Sequence, residues 1–474
     1  MAVHEMPTVL VAPAIAVLVI ADLDLNRGDH VCIPRLSRSR TSAVPATAKV
    51  MTVSHDSLRP ASIDDRITRV SSESVAESST ERQGSIMIPL LWLLPLLAFS
   101  PTAWALFSAH LACQLKKPEN LSPLTGCAPG TIFVSQDDMR AHFTSVQGAI
   151  LSLPEGLPAS ILIGAGEYHE TVNITRGAPL TLLGQLDPET AFDPAGNAST
   201  RNLVHIWDNQ FVQTGMDDAQ SAVLLVAPSF NASLIGAGPT GAPLQPLFGN
   251  VDFKAYNIDF ENRAANFSIS QALVTDISYA NASFYGCAFA SYQDTWYTGR
   301  NASTYVVDSI IYGQTDYLFG FGTAWFENVT LANRACGGGI VAWKGTNLTD
   351  APGNRYGAYI SNSRIIRSPD ANTTAVTDGK CFLGRPWNDL ATTVYLRTFM
   401  DDSIQPAGWT PFDSARPVIM NTTFYAEFDS SGPGGNTSAR IPLDHILTQE
   451  EAKNFTIDKV FLGRPKWIDF GYDL

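Results

Sequence analysis

Residues 284–331 read FYGCAFASYQDTWYTGRNASTYVVDSIIYGQTDYLFGFGTAWFENVTL. Two sets of apolar positions recur in this stretch at a spacing of 21: Phe284, Tyr305 and Phe326, and then Phe289, Ile310 and Leu331. A fixed period near ~20 residues is the mark of stacked coils, because neighbouring coils bury the same columns of side chains. Polar residues that tolerate tight corners punctuate the pattern at Asp308, Asn328 and Asn362. The expectation is an all-β chain, a single-stranded right-handed parallel β-helix (solenoid) with a short N-terminal helix cap. A β-sandwich is the alternative, but its Asn-Gly or Asp-Gly hairpin signal occurs only at Asp378-Gly379.

From Thr131 onward the sequence is short β-type runs broken by Asn, Gly, Asp and Ser. The cap is expected at Met139 to Leu153, where Phe143, Val146, Ala149, Ile150 and Leu153 fall at helical spacing. Helices long enough for βαβ crossovers are missing.

The same coil arithmetic brings polar residues together. Asp294 and Asp316 lie 22 apart, one coil plus one residue, and Gln271 lies 22 before Gln293. Residues one coil apart on a column sit about 4.8 Å apart, the strand spacing of a parallel sheet. Gln271, Gln293, Asp294 and Asp316 can therefore face one groove. Carboxylates in settings such as Tyr292-Gln293-Asp294-Thr295-Trp296 and Thr315-Asp316-Tyr317-Leu318-Phe319 are costly to bury without a partner, a metal or a catalytic task. Amides rather than metal-ligand histidines flank them, so the pair reads as a catalytic acid and a catalytic nucleophile.

Composition narrows the alternatives. Of 474 residues, 45% are hydrophobic and 16% charged, enough apolar material for a large core. The net charge of -14 disfavours nucleic acid, and no Lys/Arg cluster or zinc-type spacing offsets it. Six cysteines include Cys32 in the atypical N-terminal region, which leaves an odd number for the body. The expected pairs are Cys113 with Cys127 and Cys336 with Cys381, with Cys287 a buried packing residue.

The first 105 residues differ from the rest. Thr41 to Gly84 is Ser/Thr/Ala-rich and lacks aromatic residues, the composition of an unfolded segment. Met87 opens an apolar run through Phe99, followed by Ala103-Trp104-Ala105, which together read as a secretory signal with its cleavage site. The run is too short to span a bilayer. The expected organisation is 1–86 as a non-native or disordered extension, 87–105 as signal peptide, 106–130 as an N-terminal linker and 131–474 as the catalytic β-helix. Translation starting at Met87 is expected. Thirteen Asn-x-Ser/Thr sequons from Asn120 to Asn454 suit a secreted glycoprotein.

Several motifs occur in the order found in the pectin methylesterases, a carbohydrate-esterase family that the chain resembles from about Thr131 to Phe470. They are Phe143-Thr144-Ser145-Val146-Gln147-Gly148-Ala149-Ile150, Gly166-Glu167-Tyr168-His169-Glu170, Gln271-Ala272-Leu273, Tyr292-Gln293-Asp294-Thr295, Thr315-Asp316-Tyr317-Leu318-Phe319-Gly320 and Leu383-Gly384-Arg385-Pro386-Trp387. The resemblance implies hydrolysis of methyl esters of homogalacturonan (pectin) on a right-handed β-helix, with neither metal nor organic cofactor. The signal-like run and the sequons make the expected protein secreted and extracellular, with no membrane attachment once the signal is removed, and a monomer is expected. Position by position, the resemblance makes Asp316 the nucleophile and Asp294 the general acid and then base. Gln271 and Gln293 become the oxyanion donors, Arg385 the partner of the nucleophile and Trp387 a sugar-contacting wall. Tyr297 and Phe319 are taken as further substrate-binding rings, with core packing as the alternative for them and for Trp343. Gly166, Tyr168 and Glu170 are read as structural. Trp296, and Tyr317-Leu318 after the nucleophile, depart from the family's usual Leu and Phe-Ile, which bears on subsites rather than on the reaction. The family's plant-type inhibitory helical pro-domain is not visible in residues 1–130.

Four rivals remain. Gly236-Ala237-Gly238-Pro239-Thr240-Gly241 matches a dinucleotide fingerprint, but Pro243 and Pro246 prevent the helix it needs. A Ser-His-Asp esterase lacks Gly-x-Ser-x-Gly, and no histidine lies between His205 and His445. A calcium-dependent polysaccharide lyase or a non-enzymatic carbohydrate-binding solenoid would share the fold.

Overall fold

Each complete coil contributes one strand to each of three parallel sheets, and the coils at the two ends contribute fewer. One coil runs through Asn281–Tyr285, Ala288–Ala290 and Trp296–Thr298 before Ser303–Val307 returns to the first sheet. The computed structural model describes residues 110–191, 201–236, 241–242, 244–346 and 355–472. Within them the three sheets hold 11, 8 and 7 strands, and neighbours in each sheet come from successive coils. This is the expected right-handed parallel β-helix, the hand that parallel crossovers adopt almost without exception. The expectations for residues 1–86 and 87–105 lie outside the described residues.

The coils are unequal, and this corrects the column read from the sequence. Phe284 pairs with Val306 and Val306 with Phe326, so successive coils add 22 and then 20 residues. Phe289, Ile311 and Leu331 stack in the same way. The even 21-residue spacing therefore passes through the wrong middle residues. Tyr305 and Ile310 point outward, Tyr305 into a second buried layer beneath the C-terminal segment with Phe455, Val460 and Ile468. Because the first sheet is buried on both faces, hydrophobicity alone does not tell its inner face from its outer one.

A column of left-handed corners follows the first sheet. Asn257, Gly286, Asp308, Asn328, Asn362 and Asp429 have φ between 48° and 60°. Asn, Asp and Gly accept that backbone most readily, which is why three of these corners were visible as punctuation. Arg397, at φ 50°, occupies the same column without such a side chain.

The N-terminal end is closed by a helix shorter than expected, Val146–Leu151. Ser145 caps it by accepting from Gly148 N, and Glu170 accepts from Val146 N, Gln147 N and Ser145 Oγ at 2.7–2.9 Å. A carboxylate on the first free N–H groups fixes where the helix starts. The structural reading of Glu170 and Tyr168 thus holds, with the buried Tyr168 hydroxyl donating to Gly164 O. Residues 110–130, read as a linker, are packed against the first coils: Cys113 and Gln114 are buried and Leu115 bridges to Leu186. Both expected disulfides, Cys113–Cys127 and Cys336–Cys381, are formed, and Cys287 is free and buried.

Candidate active site

The outer face of the third sheet carries a column in which Leu225, Asp276, Tyr297, Phe319, Ala342 and Arg385 are successive neighbours. Asp294 and Asp316 sit at the corners that lead into this sheet, in the left-handed conformation, with φ 61° and 48°. Gln293 bridges to Thr315 and Asp294 N donates to Thr315 O, so the true coil here is 22 residues and the two aspartates stack directly. A left-handed backbone on a non-glycine residue is mildly unfavourable, and it turns each carboxylate out of the strand and onto the sheet's rim.

A cleft of about 640 Å³ opens there. Gln271, Gln293, Asp294, Asp316, Arg385, Phe319 and Trp387 all line it, together with Asp217, Asp218 and Phe412. Arg385 grips Asp316 in a forked ion pair, with Nε 2.9 and 3.1 Å from the two carboxylate oxygens and Nη2 2.6 Å from Oδ2. Gly339 N adds a third donor at 3.1 Å. Such charge-assisted, bidentate contacts favour the anion and fix its orientation. Arg385 is itself anchored by Phe412, through the carbonyl at 2.5 Å and the ring at 4.5 Å.

Asp294 is in the opposite situation. It is 8% exposed, and among the described residues no side chain or backbone group donates to its carboxylate. Burial first, then the nearby charges of Asp316 and Asp218, push its pKa well above the ordinary carboxylate value, with Arg385 opposing them. One carboxylate is thus paired with an arginine, and in its neighbour burial and the adjacent acids favour the protonated form.

The two glutamines are oriented by serines that the sequence reading missed. Ser268 Oγ donates to Gln293 Oε1 at 2.9 Å and Ser270 Oγ to Gln271 Oε1 at 2.8 Å. With each carbonyl oxygen occupied, the amide nitrogens are left to point donors into the cleft, and neither donates to another described residue. Nothing in the motif order flags these serines; they lie in the loop that precedes Gln271.

Of the three proposed sugar-contacting rings, the structure places two in the cleft. Tyr297 is a correction: it is fully buried and packs 4.7 Å from Phe319 and 6.5 Å from Trp387. It faces outward on the right sheet, but the connections on either side of the strand Leu224–Val226 cover it, with Ala219, Ala222 and Ile235 packed in the same cluster. Trp343 is likewise core, its indole donating to Gly322 O. The Trp387 ring rests on Lys344, whose Nζ is 3.8 Å from the ring centroid.

A different cluster carries metal-ligand side chains, His205, Asp259 and Glu261 on the second sheet. None of the three lines the cleft, and Glu261 is already engaged by His205 and Arg263. Of the dinucleotide-like stretch, residues 237–240 lie outside the described residues; Gly236 N donates to Asp217.

Fold and cleft together define a parallel β-helix bearing a site of two carboxylates, two amides and one arginine. Residues 248–464 match the sequence model of the Pectinesterase family, so the recognition read from the motifs is upheld. A probable pectinesterase/pectinesterase inhibitor 7 of Arabidopsis thaliana is 28% identical over 347 residues, covering 71% of this chain and 52% of that protein. A second Arabidopsis protein, probable pectinesterase/pectinesterase inhibitor 17, is 34% identical over 219 residues, 46% of this chain and 42% of its own length. The chain therefore spans about half the length of the curated relatives it matches. Among solved structures, a pectin methylesterase from carrot superposes with a TM-score of 0.55 at 23% identity, covering 70% of this chain and 93% of that one. One from Aspergillus niger gives 0.54 at 24%, covering 73% and 98%. These superpositions establish the shared fold.

Proposed function

We propose that this protein is a pectin methylesterase that hydrolyses methyl esters of homogalacturonan to pectate and methanol through an aspartyl acyl-enzyme. The observation that carries the reading is an arginine-gripped Asp316 next to a buried Asp294 that accepts no hydrogen bond from described residues, beside two unpaired amide nitrogens in one cleft. In the first half-reaction an Asp316 oxygen attacks the ester carbonyl carbon. The Gln271 and Gln293 amides donate to the oxyanion that forms, and neutral donors do so without binding the nucleophile as a second cation would. As the C–O bond breaks, Asp294 gives its proton to the departing methoxide, releasing methanol. Asp294, now anionic, takes a proton from a water that attacks the acyl-enzyme; the galacturonate carboxylate leaves and Asp316 is restored to its arginine. Trp387 supplies an apolar face on which a sugar ring stacks, with the buried Phe319 ring packed against it.

Secretion to the plant cell wall as a glycoprotein belongs to the same proposal. Of the thirteen sequon asparagines, none of the eleven in described residues is buried, which leaves each open to glycan attachment. The test is methanol release from highly esterified pectin by wild type, Asp316→Ala and Asp294→Ala. Loss of turnover in both variants with pectin binding retained supports the esterase. Pectin binding by a wild type that releases no methanol would leave only a carbohydrate-binding solenoid, and new ultraviolet absorbance in place of methanol would point to a lyase.

A further inference from the structure

Part of the cleft's lining is made by Gly215, Met216, Asp217 and Asp218. The two acids there are built differently. Asp217 is structural: its carboxylate caps the following 3-10 turn and accepts from Ala219 N, Ile235 N and Gly236 N at 2.8–3.1 Å. It therefore staples together the segment that covers Tyr297. The Asp218 carboxylate accepts no hydrogen bond from any described residue, the backbone carbonyl alone accepting from Ser221 Oγ, yet the residue is half-buried and lines the same cleft as Asp294 and Asp316. Burial first and Asp217 second raise its pKa to about 6, while Lys344 pulls the other way, so it is charged at neutral pH. Lys344 is fully buried behind Trp387 with its Nζ unpaired, which makes it a weak counter-ion for a group that lines the cleft. A carboxylate left without a donor in a cleft that already holds Asp294 and Asp316 costs stability and helps neither burial nor the fold. What it does supply is a fixed negative charge where the polymer passes.

Resting on the esterase reading above, we propose that Asp218 is a specificity-determining residue that repels free carboxylates flanking the scissile ester. The substrate is then a densely methyl-esterified run of homogalacturonan rather than an isolated ester within pectate. Each galacturonate unit presents either a neutral methyl ester or an anion of nearly the same shape, so charge is the feature a cleft can sort on. Repulsion between like charges in a half-buried cleft corresponds to a preference of about three- to tenfold.

The experiment compares kcat/KM for wild type, Asp218→Asn and Asp218→Glu on highly and sparsely esterified pectin at a pH above 7. The comparison is made as the ratio of the two substrates for each enzyme. Asp218 also raises the pKa of Asp294, but that effect enters both substrates alike and cancels in the ratio. The wild-type ratio is expected to favour the highly esterified polymer. Asp218→Asn should reduce that ratio by about three- to tenfold, and Asp218→Glu should retain it. As a second measurement, de-esterified pectate should inhibit Asp218→Asn more strongly than wild type. An unchanged ratio and unchanged inhibition in an active Asp218→Asn overturn the proposal and leave the esterase intact. A wild type that releases no methanol from either pectin overturns both. If Asp218→Asn is inactive or misfolded, wild-type inhibition decides: pectate that inhibits wild type as strongly at low as at high salt shows no charge repulsion to be screened and sinks the proposal, and inhibition that strengthens with salt supports it.

Discussion

Asp294 and Asp316 occupy the same left-handed corner of successive coils, and only Asp316 is given a cation. The asymmetry has a consequence for stability. Because the folded state raises the pKa of Asp294, it holds that proton more tightly than the unfolded chain does. Stability from this group is complete below the ordinary aspartate value, about 3.9, and is lost as pH rises through the higher folded value. Asp294→Asn removes the ionisation. It should melt at a higher temperature than wild type at neutral and alkaline pH, with the difference shrinking toward acid, while methanol release is lost. Identical melting curves for the two proteins across that pH range would contradict the protonated assignment.

The serine–glutamine contacts separate positioning from chemistry. Gln293→Ala removes an oxyanion donor, and kcat should fall by about 10²–10³ with KM little changed. Ser268→Ala leaves the amide in place but frees it to rotate, because Oε1 loses its fixed donor. The expected loss in kcat is about tenfold, smaller than for the glutamine itself, since misorientation rather than absence is the defect. Steady-state kinetics on highly esterified pectin would show it. A Ser268→Ala enzyme as slow as Gln293→Ala would mean that the serine acts directly.

How far the sequence alone reached can be argued from particular residues. Asp294, Asp316, Gln271 and Gln293 were legible because a solenoid turns sequence separation into spatial adjacency, and their spacing equals the local coil of 22. Arg385 is further along the chain and no period announced it; the motif around it did. Tyr305 went to the wrong face because a sheet covered on both sides has no amphipathic signal to read. The cover over Tyr297 is not legible in the sequence because Ala219, Ala222 and Ile235 lie in the connections on either side of the strand Leu224–Val226, and a period says nothing about what a connection will cover. Asp217 and Asp218 lie in the first of these connections and escape the period for the same reason.

Gly338 extends the corner column by one more coil of 22 residues beyond Asp316, and here the backbone has φ 61° with no side chain at all. A Cβ at this position would lie 2.8–2.9 Å from the Arg385 guanidinium. Gly338→Ala should therefore push Arg385 off Asp316 and add the strain of a left-handed alanine. The expected outcome is a folded enzyme with kcat lowered by about 10- to 100-fold, the scale of a misplaced catalytic contact. Near-wild-type turnover in a correctly folded Gly338→Ala would show that the grip of Arg385 on Asp316 is dispensable.

The Cys336–Cys381 disulfide ties the end of one second-sheet strand to the residue that precedes the strand carrying Arg385, across a separation of 45 residues. Loop-closure entropy for a bridge of that length amounts to about 4 kcal/mol in the unfolded state, an upper figure if the unfolded chain keeps structure. Cys336→Ser with Cys381→Ser should lower the denaturant midpoint accordingly and steepen the slope somewhat, since the unfolded chain released from its cross-link exposes more surface. Cys287, free and buried, closes no loop. Its replacement by Ala should shift the midpoint much less, by the loss of one sulfur's packing, about 1 kcal/mol. The paired variant should also lose turnover before it unfolds, because Arg385 lies four residues from the released end and its fork on Asp316 tolerates little drift. Activity and structure melting at the same denaturant concentration in the double serine variant would show instead that the Arg385 strand is held by its sheet neighbours alone.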